Sequence, residues 1–249
     1  MTNSININDK VAVVTGANRG IGKTIAESFL ENGAKKIYAA VRDTSSASDL
    51  IEKYGNRVSA IKLDLADPQT ITNAAKTAND AEIIVNNAGV LTSTTPLDNN
   101  ALESLNFEMD INVGGLIRMA QAFAPVLKQN GGGALIQLNS VASIKNFVPF
   151  TTYSASKAAA YSVTQSLRDL LSEQGTSVMS VHPGPIATDM GDAAGLSEIA
   201  EPATLVSDAI IKGLQQGEFH VFPDTMAKQV EGEYQNFAKN IVEANLMEG

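Results

Sequence analysis

The run Val11-Ala12-Val13-Val14-Thr15 passes through Gly16-Ala17-Asn18-Arg19-Gly20-Ile21-Gly22 into an amphipathic helical pattern, and this junction constrains the fold more than any other stretch. A short apolar, β-branched run reads as a buried strand. A plain strand-to-helix turn needs one glycine, and here there are three. Glycine permits a tight turn and lets a diphosphate approach the backbone closely. The helix that follows offers unpaired N–H groups and a positive dipole end to such an anion. Placed between a first strand and a first helix, the pattern points to a dinucleotide. Gly16, Asn18, Arg19, Gly20, Ile21 and Gly22 are therefore candidate cofactor-binding residues.

The rest of the chain alternates in the same way. Strands are expected at 10–15, 36–41, 58–62, 82–86, 134–138, 177–181 and 218–222. Helices are expected near 20–32, 46–54, 68–79, 101–129, 152–174 and 202–216. Such alternation predicts a parallel sheet covered on both faces, and right-handed crossovers make it doubly wound. The expected architecture is α/β, with about seven strands in a single domain spanning 1–249. Gly131-Gly132-Gly133 reads as a turn before a strand rather than a boundary. Residues 224–249 read as a mixed tail with a helical middle.

Composition removes several functions. The 249 residues contain no cysteine, which excludes disulfides, iron–sulfur clusters and thiolate metal sites. The only two histidines, His182 and His220, lack ligand-like spacing, so no metal is expected. His182 reads as a packed strand-end residue and His220 as structural. A net charge of −9 argues against nucleic acid or an anionic membrane as partner. No apolar run reaches the ~18–20 residues of a membrane span. The polar start, Met1 to Lys10, lacks an apolar signal core, so a cytoplasmic location is expected.

The second half of a dinucleotide site is also legible. An acid about 20 residues past the glycines would hold the ribose hydroxyls of NAD. Asp43 falls near that distance, but Arg42 directly precedes it, and the strand end Ala39-Ala40-Val41 carries no acid. Arg42 and Arg19 together could clamp a 2′-phosphate, which favours NADP(H) over NAD(H). Asp64, after the third strand, could accept a hydrogen bond from adenine, or serve simply as a loop carboxylate. Asn87, Ala88 and Gly89 follow the fourth strand, where small residues would let a ring lie against the backbone.

Tyr153 and Lys157 lie four residues apart on an Ala-rich helical stretch, and Ser140 precedes Tyr153 by thirteen residues. Positions i and i+4 share a helix face, so the ammonium can approach the phenol. An unperturbed tyrosine titrates near ~10, and a nearby positive charge is expected to lower that value. Alone, the pair reads better as a surface Tyr and Lys on an Ala-rich helix.

Taken together, these motifs resemble the short-chain dehydrogenase/reductase family over nearly the whole chain. The matching residues are Thr15 to Gly22, Asn86-Asn87-Ala88-Gly89, Asn112, Ser140, Tyr153-Ser154-Ala155-Ser156-Lys157 and His182-Pro183-Gly184-Pro185-Ile186-Ala187-Thr188. The extra lysine in Ala34-Lys35-Lys36-Ile37 puts Arg42 one residue past the family's usual acid position. The resemblance implies a Rossmann-like fold, usually dimeric or tetrameric, and a catalytic group of Asn112, Ser140, Tyr153 and Lys157. Tyr153 would exchange a proton with the substrate oxygen, and Ser140 would bond the same oxygen. Lys157 would bind the nicotinamide ribose and favour the tyrosinate. Asn112 would fix a water behind Lys157. Pro183, Gly184, Ile186 and Thr188 would line the nicotinamide side.

The stretch 189–201 is rich in small residues and could close over substrate. Ile144, Phe147 and Met190 could line an apolar pocket, or belong to a core. The expected activity is NADP(H)-dependent reduction of a small or medium hydrophobic ketone or aldehyde, of carbonyl reductase type. An NAD-linked secondary alcohol dehydrogenase and a non-catalytic dinucleotide-binding regulator are the alternatives. An intact Ser–Tyr–Lys set argues against the regulator, and cofactor kinetics separate the two enzymes. Small residues on 101–129 and 152–174 suit helix pairing between subunits, with a homotetramer expected.

Overall fold

The computed structural model describes residues 4–244. Seven parallel strands form one sheet in the order β3-β2-β1-β4-β5-β6-β7. They are β1 (Val11–Thr15), β2 (Lys36–Val41), β3 (Val58–Lys62), β4 (Ile83–Asn86), β5 (Ala134–Leu138), β6 (Ser177–Val181) and β7 (His220–Val221). The strand order reverses between β1 and β4, which pair through Ala12–Ile83, Val13–Ile84 and Val14–Val85. In open α/β sheets a ligand crevice lies outside the strand ends at such a reversal.

Side chains alternate across the sheet with period two. Ala12 and Val14 of β1 join the core beneath α1 (Gly20–Glu31), α2 (Ser48–Tyr54) and α8 (Thr204–Gln216). Val11 and Val13 point to the opposite core, covered by α3 (Pro68–Thr77), α5 (Gly115–Gln129) and α6 (Thr151–Ser172). Burial on both faces explains why the central strands are apolar except at Thr15, Asn86 and Gln137 near their C-terminal ends. The helices start and stop where local chemistry dictates. Asp67 caps α3 by accepting from the Gln69 N–H, with Pro68 in the first turn. Gly217, left-handed at φ 68°, ends α8.

The sheet and helices agree with the sequence expectations, including the Rossmann-like architecture. One helix differs. The expected continuous helix at 101–129 is divided into α4 (Ala101–Glu108), a π-helical segment (Met109–Gly114) and α5. The segment ends in Gly114, Gly115 opens α5, and the insertion shifts the helical register. Gly115 lies so close to Leu65 that an added Cβ would sit 3.0 Å from the Leu65 Cβ. Asn112 lies inside this segment. The tail forms α9 (Thr225–Phe237) and a terminal π-helical turn (Ala238–Val242); its last part, 245–249, lies outside the described residues.

Candidate active site

The groove at the ends of β1 and β4 is built largely from backbone. Thr15 is fully buried, and its hydroxyl oxygen accepts from the Asn87 and Ala88 N–H groups, each at 2.9 Å. The Asn87 amide donates back to the Thr15 carbonyl at 2.8 Å. Gly16 takes φ 67°, a conformation that favours glycine. An added Cβ at Gly22 would overlap the Gly16 carbonyl oxygen and lie 2.5 Å from the Asn87 amide. The glycine spacing thus reflects packing of the first helical turn onto the loop. Arg19 occupies the N-cap of α1 and gives no side-chain cap, and no acid lies in the first turn. The N–H groups at that helix end therefore lack a local side-chain acceptor, and they suit a phosphate. These residues fit a dinucleotide diphosphate.

Other expected cofactor residues sit around this groove in different states. Arg42 is exposed, just past β2, and takes part in no ion pair among the described residues. Neighbouring Asp43 accepts from both the Ser45 N–H and hydroxyl, which holds its carboxyl below the usual carboxylate range. Arg19 reaches across to Asp189 at 2.9 Å, both ends exposed. Asp64 is partly exposed and accepts from the Ala66 N–H at 3.0 Å, a loop-turn role. Thr188 caps α7 (Asp189–Ala193) through the Gly191 N–H and donates to the Ile186 carbonyl. The Gly184 N–H donates to Asp224, whose carboxylate is 1% exposed and also caps α9 through Ala227. Asp224 thereby fixes the Pro183-Gly184 wall; only its position before a helix start could have singled it out.

The catalytic candidates converge beyond β4 and β5. The Ser140 hydroxyl donates to the Pro183 carbonyl at 3.3 Å, accepts from the Ala142 N–H at 3.1 Å, and lies on the side of the Tyr153 phenol, whose value it pulls down. The Lys157 ammonium lies 5.7 Å from the Tyr153 ring centroid and donates to the Leu138 carbonyl at 2.7 Å. The Asn112 side chain accepts from the Val90 N–H and donates to the Val90 carbonyl and the Ser156 hydroxyl, each at 2.9 Å. Gly89 lies between: a Cβ there would stand 3.0 Å from Asn112 Oδ1 and 3.7 Å from Lys157 Nζ. Asn112 therefore ties the π-helical segment to the loop after β4 and to α6.

The electrostatics correct one expectation. Lys157 does not lower the phenol. Burial pushes Tyr153 up to about 12; the neighbouring Ser140 hydroxyl pulls it down, and the negative charge of Glu108 raises it further. Tyr153 keeps some exposed surface, but its surroundings are dense protein. Lys157 spends its hydrogen bond on a backbone carbonyl, and burial brings its own value down to about 8. An ammonium and a phenol enclosed together lose hydration in opposite senses, and here that loss outweighs their proximity.

Glu108 was not visible as a site residue. It is fully buried, and one carboxylate oxygen accepts from the Thr92 N–H at 2.7 Å and hydroxyl at 2.8 Å. His182 behaves as expected: it is fully buried between the Ser143 and Ser180 hydroxyls, and burial holds it neutral at about 3. His220 bonds Tyr161 and Glu243 at the far side of the sheet end. Ile144 and Phe147 pack against the small core of Val141, Phe222 and Ala227, whereas Met190 is exposed. No group of metal-ligating side chains occurs among the described residues, and no helix there is long and apolar enough to cross a membrane.

The model of the short chain dehydrogenase family matches residues 10–198, most of the chain. The chain belongs to the short-chain dehydrogenase/reductase family of oxidoreductases. An uncharacterised oxidoreductase of Staphylococcus epidermidis is 30% identical over 215 residues, covering 84% of this chain and 93% of its own. One from Staphylococcus aureus is 31% identical over 186 residues, covering 73% and 80%. A short-chain dehydrogenase from Burkholderia cenocepacia, solved in complex with NADP, superposes with a TM-score of 0.84 at 33% identity, covering 95% of this chain and 99% of that one. A short-chain dehydrogenase from Streptomyces avermitilis, at 23% identity and TM-score 0.80, shares the fold across 95% of this chain and all of its own.

Proposed function

We propose that this protein reduces uncharged, mainly apolar ketones or aldehydes with NADPH, with Tyr153 as proton donor. The observation that carries the reading is the Lys157 ammonium 5.7 Å from the Tyr153 ring, with Ser140 beside the phenol, at the strand ends where Gly89 approaches Asn112 and Lys157. The dinucleotide supplies the hydride when bound. Tyr153 is protonated at neutral pH, as a donor in carbonyl reduction must be. Ser140 hydrogen-bonds the carbonyl oxygen and stabilises the charge that develops on it. Lys157, still mostly charged at pH 7, adds positive potential and contacts the ribose. Asn112 holds Ser156 and the Gly89-Val90 backbone in register with this cluster.

Three features support NADP(H). Arg42 is free to meet a 2′-phosphate, Asp43 is committed to its own turn, and the Burkholderia relative at 33% identity was solved with NADP. Exposed Leu97, Val148, Met190 and Ile199 lie on segments following strand ends and support an apolar substrate. We read 189–201 as a substrate lid, since most of it is exposed and lightly anchored. Exposed Leu102, Phe107, Ile117 and Leu170 on α4, α5 and α6 support a homo-oligomer, read as a dimer or tetramer in the cytoplasm.

The test is a panel of apolar ketones and aldehydes with NADPH and NADH, followed at the reduced-nicotinamide absorbance. Ketone-dependent loss of signal, faster with NADPH, is the expected result. Tight NADPH binding without turnover across the panel would instead indicate a dinucleotide-binding regulator.

A further inference from the structure

Glu108 is the one buried carboxylate beside the catalytic cluster that the proposed chemistry does not use. It is fully buried at the end of α4, where the helix passes into the π-helical segment. Its Oε1 takes two hydrogen bonds, both from Thr92, and its Oε2 is buried with no hydrogen-bond partner among the described residues. Burying a carboxylate with one oxygen unsatisfied is unfavourable, and a neutral side chain of similar size would avoid that desolvation. Packing of α4 against α6 alone therefore does not account for glutamate here.

The hydrogen bonds run in a defined direction. The Thr92 hydroxyl donates to Glu108, so its proton is committed. The contact between the Thr92 and Thr152 hydroxyls, at 3.4 Å, then has Thr152 as donor. Thr152 immediately precedes Tyr153 in the first turn of α6. The chain Thr152 to Thr92 to Glu108 thus ends in a carboxylate and ties down the turn that carries the phenol. The groups facing that phenol are few. Lys157 lies on its own helix, Glu108 on α4, the uncharged Ser140 after β5, and neutral His182 behind Ser140 after β6.

We propose that Glu108 is a positioning residue for Tyr153: it anchors the first turn of α6 through Thr92 and Thr152, and its buried charge sets the field in which the phenol ionises. The proposal rests on the reading of Tyr153 as proton donor. Glu108 adds to burial in keeping the phenol protonated to higher pH.

The test is Glu108→Gln, which preserves the bond from Thr92 and removes the charge; Glu108→Met serves if the amide variant does not fold. With saturating NADPH and a turned-over ketone, the alkaline limb of the kcat profile is expected to move to lower pH by about one unit, the scale of a nearby like charge. NADPH affinity, read by fluorescence, should stay within about twofold. A second readout is the near-ultraviolet tyrosinate titration of the NADP-loaded protein. Subtracting a matched Tyr153→Phe background isolates Tyr153 from the other four of the five tyrosines. The Tyr153 transition should move down by the same amount. An unmoved transition in the charge-free variant overturns the proposal. If Tyr153→Phe keeps full turnover, the proton-donor reading fails, while the difference titration still decides whether Glu108 controls the phenol.

Discussion

At the ends of β1 and β4 the groove is held by backbone groups and small residues that pair with one another, Thr15 with Asn87 and Ala88 and Gly22 against Gly16, leaving Asn86 Oδ1 as its unpartnered buried oxygen among the described residues. Beyond β5 and along α6 the cleft is held by side chains that ionise, and these are under-satisfied. Tyr153 is driven up, Lys157 driven down, and Glu108 keeps one oxygen without a partner. The first region is a preformed receptor for an anion, in which geometry does the binding. The second stores unfavourable electrostatics, which bound cofactor and substrate can relieve. Stability therefore resides with the cofactor loop, and tension with the catalytic cluster.

Lys157→Met is the sharpest way to break that contrast. Losing the cation should lower kcat by roughly 10²-fold, the effect of removing one electrostatic stabiliser. The same change should make the protein more stable. A shift from 10.5 to about 8 corresponds to roughly 3 kcal/mol against the buried charged form, and the lost bond to Leu138 offsets about 1 of that. Because the folded value is depressed, the penalty is complete below about pH 8 and fades as pH approaches 10.5. Denaturation at pH 7 should thus show a gain of about 2 kcal/mol that shrinks between pH 8 and 10.5. A less stable variant at pH 7 would mean that Lys157 is no electrostatic burden.

Gly22→Ala probes the other region. Its Cβ must displace either the Gly16 carbonyl or the Asn87 amide, so the NADPH dissociation constant should rise by about 10- to 100-fold. Fluorescence titration measures it, and unchanged affinity would show that the loop is not preformed. Arg42→Asp should raise the Michaelis constant for NADPH about tenfold and that for NADH much less. Equal effects would remove the 2′-phosphate assignment. The smallest change is expected for Asp189→Asn. The Arg19–Asp189 pair is exposed at both ends, so Tm should move by less than about 3 °C.

The two regions also differ in how plainly the chain announces them. Strand bounds and the glycine loop depend on local chemistry: β-branched runs, turn residues and period-two burial. They were legible at the level of single residues, as β2, β3, β5 and β6 show. Ser140, Tyr153, Lys157 and Asn112 were legible through spacing and family resemblance, and the fold brings them together. The sign of the phenol shift was not legible, because burial is a property of packed neighbours from β5, α4 and α6. Glu108 was hidden for the same reason: on an amphipathic helix one more glutamate reads as a solvated face. The π-helical segment was hidden too, since an inserted helical residue leaves the apolar pattern of 101–129 nearly continuous.

The central claim is that Tyr153 donates the proton within a dinucleotide site that binds independently of it. Single-turnover reduction of an active ketone by preloaded NADPH, comparing the parent protein with Tyr153→Phe, addresses both halves. The account predicts hydride transfer slowed by at least about 10²-fold, with NADPH affinity within about twofold of the parent. Transfer at the parental rate in the phenylalanine variant would contradict it.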